Sequence, residues 1–213
     1  MNLQPFTVVA GAAPYLPQAN LDTDVIIRIE RLTALARDAL GPFALESLRY
    51  RPDGSEDPGF VMNQPHFRSA PFLLAGENFG CGSSREGAVW ALRGIGIRCV
   101  VAPSFGDIFF SNCFQNGVLP IQLPREDVLA IANELEGATR PGANSEPRLA
   151  INLHERTVTT PAGRKIEFKV DGIRRESLLK GLNEVELTLT KEKEIAAHQA
   201  KARAATPWLY PTG

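Results

Sequence analysis

Residues 72–123 constrain the fold more than any other part of this chain. They read as strand, glycine-rich turn, helix, strand, helix, strand. The first strand is FLLA at 72–75. A helical pattern runs over 83–93 and is ended by Gly94-Ile95-Gly96. A second apolar strand, RCVVA, occupies 98–102. A second helix is predicted over 105–116, stopped by Gly117, where a left-handed backbone favours glycine. A third strand follows at 118–123. Alternation of this kind builds right-handed crossovers and a partly parallel sheet with helices packed on it.

The flanking segments are less regular. FTVVAGAAPYL reads as a strand broken at Ala13-Pro14. In NLDTDVIIRIERL, Asn20, Asp22 and Asp24 are turn and cap formers ahead of the apolar Val25-Ile26-Ile27. Residues 32–48 have helical spacing interrupted by Gly41-Pro42, which predicts two short helices. RPDGSEDPGF is a loop, and a short helix fits after Pro65. An amphipathic helix is expected over 125–136, with Val128, Leu129, Ala132 and Leu135 inward. The segments 149–160 and 165–170 alternate around Pro161-Ala162-Gly163 as a β-hairpin appendage. Short helices follow over 176–182 and 191–203, and 204–213 reads as a loosely ordered tail. The fold class is α/β, in a single domain spanning 1–213.

Bulk properties exclude several roles. At 213 residues the chain can bury a sizeable core. A net charge of −1 provides no field for nucleic acid or an anionic membrane. No apolar run approaches a membrane span, and the N-terminus lacks the basic region of a signal peptide. The three cysteines, Cys81, Cys99 and Cys113, are sparse and contain no CxxC. That suits reduced thiols in a cytoplasmic protein and makes the chain a poor candidate to hold an iron–sulfur cluster alone.

The chemistry concentrates in GENFGCGSSREGAVWAL, 76–92. Gly80 and Gly82 keep the backbone accessible between strand and helix, where exposed amides attract anions. Ser83 and Glu86 have capping-box spacing. Arg85 at a helix start opposes the dipole, and is better explained by a bound carboxylate. The loop is not a dinucleotide fingerprint, since its third glycine and the acidic residue are missing. It lacks G-K-[ST] and G-x-S-x-G. A nucleophilic Cys81 would want a histidine, and His66, His154 and His198 carry no recognisable context. On these grounds a plain helix-capping turn and an anion site stay equally open.

GENFGCGSSRE resembles the active-site loop of the swivelling domain of the aconitase superfamily. NLDTDVII resembles its N-terminal motif, and SFGDIFFSNCFQNGVLPI and SLLKGLNEVELTL match in order and spacing. The resemblance implies a single swivelling β/β/α domain. It implies the small subunit of a heteromeric hydro-lyase that isomerises a branched hydroxy-diacid by dehydration and rehydration. A partner large subunit, in a heterodimer or heterotetramer, would carry the [4Fe–4S] cluster, with no metal on this chain. Carried over by position, Ser83 is the catalytic base and Asp24 lines the same site. Ser84 and Arg85 hold substrate carboxylate, with Gly82 and Arg28 beside them. The family often has histidine where this chain has Gly87, and proline then a basic residue where it has Arg28 and Ile29. Those departures leave the alkyl group of the diacid open. A stand-alone carboxylate-binding module is the alternative from another class. Roles for His66 and Asp107 stay open.

Overall fold

The computed structural model describes residues 3–140 and 147–209. Its strands fall into two sheets. β1 (Val8–Gly11) and β2 (Tyr15–Leu16) are the two halves of the segment broken at Ala13-Pro14, and each joins a different sheet. β2 pairs in parallel with β3 (Phe72–Ala75), which pairs with β4 (Cys99–Ala102), which pairs with β5 (Leu119–Gln122). β1 instead opens an antiparallel sheet with β6 (Leu149–Asn152), β7 (Thr157–Thr159) and β8 (Lys165–Glu167). The hairpin at 161–163 is present between β7 and β8, within a four-stranded layer. The single strand expected over 149–160 is two strands. Asn152 Oδ1 accepts from Glu155 N at 3.0 Å and Arg156 takes φ +58°, so the chain turns with no Gly or Pro to announce it.

Side chains of the parallel sheet alternate between two apolar layers, as the two-residue strand period requires. Leu73, Ala75, Val100 and Ala102 face one layer, where Ile26, Val89, Leu92, Phe109 and Cys113 pack. Phe72, Leu74, Cys99 and Val101 face the other. There they meet Val128, Ile131 and Leu135, together with Leu149, Ile151 and Val158 of the antiparallel sheet. Each of these large residues contributes about 1.5–3 kcal/mol by leaving water.

The helices around this frame correct several expectations. α1 (Thr23–Ile26) and α2 (Ile29–Ala34) precede α3 (Glu46–Arg49), with single 3₁₀ turns at Arg37–Ala39 and Gly41–Phe43. Of the two short helices expected over 32–48, only the ends are α-helical, with α2 stopping at Ala34 and α3 starting at Glu46. Pro42 limits the segment to short turns, and Leu45 turns left-handed at φ +56° to give its amide to Ile26 O at 2.8 Å. α4 (Gly87–Gly94) begins four residues later than the spacing predicts. α5 (Asp107–Gln115) ends at Gly117 with φ +71°, as expected. α6 (Arg125–Thr139) buries Val128, Ala132 and Leu135 but leaves Leu129 38% exposed; Ile131 takes the inward place. α7 (Gly172–Lys180), α8 (Glu184–Leu189) and α9 (Glu192–Ala205) close the described chain. α8 opens on an Asn183–Glu186 capping box that sequence reasoning passed over. Of the expected tail, Pro207–Leu209 form a 3₁₀ turn, and 210–213 lie outside the described residues.

Candidate active site

The glycine loop leaves the C-terminal end of β3, the end at which open α/β sheets place ligands. Two neighbouring segments fasten it. Phe79 N donates to Ser104 O at 3.1 Å, and Gly106 N donates to Phe79 O at 3.0 Å. On the other side Gly80 N donates to Leu21 O at 2.8 Å, and Thr23 N donates to Cys81 O at 3.0 Å. The DTD segment and the GCGSSR segment thus run side by side in one short parallel ladder, with Asp22 opposite Cys81. Gly80 is required here. Its φ is +71°, and a Cβ would stand 2.3 Å from the Phe109 ring. Gly82 turns at φ +93° beside Asp22.

That ladder sorts the aspartates. Asp22 caps α1, its Oδ1 accepting from Val25 N at 2.9 Å. Asp24, one residue into the helix, points outward and takes an ion pair and hydrogen bond from Arg85 Nη1. Asp24 is 55% exposed and Arg85 27%. A pair this wet contributes about 0–1 kcal/mol, so its value is orientation of the guanidinium rather than stability. Ser83 is half-buried, and its Oγ lies 3.0 Å from Thr23 Oγ1, either oxygen being able to donate. Thr23 itself is only 1% exposed. Ser84 and Gly82 are exposed on the same turn.

The capping box expected from Ser83 and Glu86 is not formed. α4 starts at Gly87, so the serines and Arg85 lie in the loop rather than in the helix's first turn. The Ser83 hydroxyl is engaged by Thr23, and the Glu86 carboxylate accepts instead from Asn116 Nδ2 at 2.7 Å. A buried amide partner outcompetes a solvent-facing cap. The groups on this turn able to donate to an anion are therefore the Arg85 guanidinium and the loop hydroxyls.

Other candidates stand elsewhere. Arg28 precedes α2 as its cap, and its Nε faces Glu30 at 3.6 Å and Glu46 at 3.8 Å. Glu46 is already held by Arg31, whose Nη2 donates at 2.9 Å. His66 lies against Phe67 and lines a separate cleft of about 320 Å³ with Tyr15, Asn133 and Glu136. Asp107 is exposed in the first turn of α5. Thr23 was missed by sequence reasoning; its signal was its place between the two aspartates of DTD. Burial pushes the Cys99 and Cys113 thiols up, and Cys81 is half-buried in the loop. Among the described residues, no group of three or more His, Cys, Asp or Glu is placed to hold a metal ion. The donor set of this chain does not fit an iron–sulfur cluster.

The parallel and antiparallel layers and the paired DTD and GSSR segments fit an aconitase-type domain, the class whose model the chain matches. The family model for the aconitase C-terminal domain matches residues 3–126. The model for the C-terminal domain of the 3-isopropylmalate dehydratase small subunit matches 187–212. The small subunit of 3-isopropylmalate dehydratase from Paramagnetospirillum magneticum is 47% identical over 207 residues, 97% of this chain and 100% of that one. That of Gluconacetobacter diazotrophicus is 47% identical over 97% of each. A crystal structure of 3-isopropylmalate dehydratase from Methanocaldococcus jannaschii superposes with a TM-score of 0.63 at 26% identity, covering 90% of this chain and 99% of that chain. The chain belongs to the 3-isopropylmalate dehydratase small subunit family.

Proposed function

We infer that this chain is the small subunit of a 3-isopropylmalate dehydratase, a hydro-lyase subunit that isomerises 2- and 3-isopropylmalate on the route to leucine. The observation that carries this is near-full-length relatedness, 47% identity over 97% of the chain, to proteins of that name. The domain is taken as one unit over 1–213, supported by the apolar layer that both sheets share.

In this proposal the site residues divide the work. Ser83 Oγ removes the proton from the carbon beside a substrate carboxylate. Serine is a weak base unless its oxyanion is stabilised. Thr23 is the neighbour able to donate to it, and its burial strengthens that bond. Arg85 and Ser84 receive the carboxylate, with Asp24 aiming the guanidinium through Nη1. Gly82 leaves the approach open. The departing hydroxyl calls for a Lewis acid, and we assign that to an iron–sulfur cluster on the large subunit. Returning water to the neighbouring carbon completes the isomerisation. A cytoplasmic location belongs to the same proposal and rests on kinship to a biosynthetic enzyme; separately, among the described residues no helix is long and apolar enough to cross a membrane.

One second reading has specific support. Arg28 is held on acidic side chains, and Gly87 sits beneath Leu32, whose Cδ2 would be 2.3 Å from a Cβ at position 87. Both positions depart from the commoner motif and leave the alkyl group of the substrate open, so the second reading is a related hydratase for another branched hydroxy-diacid of the citramalate, dimethylmalate or homoaconitate type. Reconstitution with the large subunit and a panel of such diacids, followed by alkene absorbance, decides. Highest kcat/KM on isopropylmalate supports the assignment, and highest kcat/KM on another of these diacids moves it to the related hydratase. Tight diacid binding by the isolated chain, by calorimetry, would instead favour a stand-alone carboxylate-binding module.

A further inference from the structure

Asn116 lies outside the candidate site, is 1% exposed, and has all four of its hydrogen-bonding positions filled. Its Oδ1 accepts from Arg37 Nη2 at 2.5 Å and from Trp90 Nε1 at 3.0 Å. Its Nδ2 donates to Asn112 O at 2.9 Å and to Glu86 Oε1 at 2.7 Å. The amide is thus oriented by a cation on its oxygen side and an anion on its nitrogen side, and it cannot flip without reversing both contacts. Arg37 also stacks over the Trp90 ring at 4.6 Å, which keeps the cation in place.

Glu86 is the residue after Arg85. Asn116 is the C-cap of α5. The other end of the same helix touches the other end of the same loop: Gly106 N donates to Phe79 O at 3.0 Å, and a Cβ on Gly106 would stand 2.7 Å from Gly80 O. Between these ends, Phe109 packs beneath Gly80. A helix of nine residues spans about 13 Å. It therefore grips the loop that holds Ser83, Ser84 and Arg85 at both of its ends, as a splint.

We propose that Asn116 is a positioning residue for the dehydratase reaction, acting through its hydrogen bond to Glu86 to fix the placement of Ser83 and Arg85. This rests on the proposed roles of those two residues. Loss of the bond frees the C-terminal end of the loop, and displacement by about 1 Å at a reacting group can cost 10²-fold in rate.

The test uses Glu86→Met, which keeps length but removes the acceptor, and Glu86→Gln, which keeps an oxygen for Asn116. In the complex with the large subunit, Glu86→Met is expected to lower kcat at least ~10-fold per assembled complex. Glu86→Gln is expected to retain parental kcat and KM. Parental kinetics in Glu86→Met, or an equal fall in Glu86→Gln, overturns the proposal. Hydrogen exchange on the isolated chain decides even if the Met variant assembles poorly. Amides of 88–90, which donate to the Arg85 and Glu86 carbonyls at the end of the loop, should exchange faster in Met than in Gln, with β3 and β4 amides unchanged; equal exchange at 88–90 overturns it. If the parental complex does not turn over, the functional assignment fails, while the exchange comparison still reports on the splint.

Discussion

Ser83 and Thr23 form the pair on which the proposed chemistry turns. Thr23 is buried, its backbone amide is bonded to Cys81 O, and its hydroxyl is 3.0 Å from the Ser83 oxygen. Replacing Thr23 by Val keeps the shape and removes only the donor. In the reconstituted enzyme this should lower kcat by about 10-fold or more with KM little changed, since the donor sustains the ionised form of the Ser83 base and does not hold substrate. Steady-state kinetics on matched amounts of complex check it. The proposed roles of Arg85 and the serines came from the family resemblance, since the residues alone left a helix cap and an anion site equally open. Thr23 was not legible, because the charged residues on either side carried the more obvious chemistry and only the ladder between 21–23 and 80–81 brings it to Ser83. The Ser83–Glu86 cap failed for a similar reason: Asn116, thirty residues away, competes for the carboxylate. At the cysteines, burial holds the Cys99 and Cys113 thiols protonated above the ordinary thiol range. Their folded-state pKa is raised, so their contribution to stability is complete below pH about 8.5 and is lost as pH rises beyond it. A native thiol titration should find Cys81 reacting first, with Cys99 and Cys113 reacting only on unfolding.

At the scale of elements, strands and helices of the 72–123 run were readable because each is short, apolar and punctuated by glycine. β3 and the α5 stop at Gly117 fall where the pattern placed them. Boundaries set by tertiary partners were not readable. α4 starts late, β6 and β7 are separated by a turn without glycine or proline, and 35–45 holds only 3₁₀ turns around Pro42. Gly87 shows how a departure from a motif is absorbed by packing. It opens α4 against Leu32, whose side-chain tip would have to shift for a Cβ to fit. Alanine there gains at most ~1 kcal/mol of helix propensity, less at a first position, against ~1–3 kcal/mol for overpacking. Gly87→Ala should therefore destabilise by about 1 kcal/mol. A double-mutant cycle with Leu32→Ala should show coupling of similar size, and additive effects would show that Leu32 yields freely.

For the whole molecule, stability resides in the two layers on either side of the parallel sheet. α8 and α9 add no buried residue among those described. Removing the chain after Leu182 should leave cooperative unfolding and shift Tm by only a few degrees; a collapse of Tm would mean that these helices stabilise the core. The alternation of short apolar strands with helices over 72–123 made an α/β fold legible from sequence. The recruitment of β1 into the hairpin sheet was not legible, because it depends on a break at Ala13-Pro14 that sends two halves of one segment to different sheets. The site itself lies open on the surface, with Asp24 and Ser84 exposed, which suits a half-site completed by another subunit. The most direct measurement is turnover of the complex carrying Ser83→Ala, with assembly verified by size and stoichiometry. A loss of about 10²–10⁴-fold in kcat with assembly intact is the expected result; unchanged turnover in a fully assembled complex would contradict the base assignment at the centre of this account.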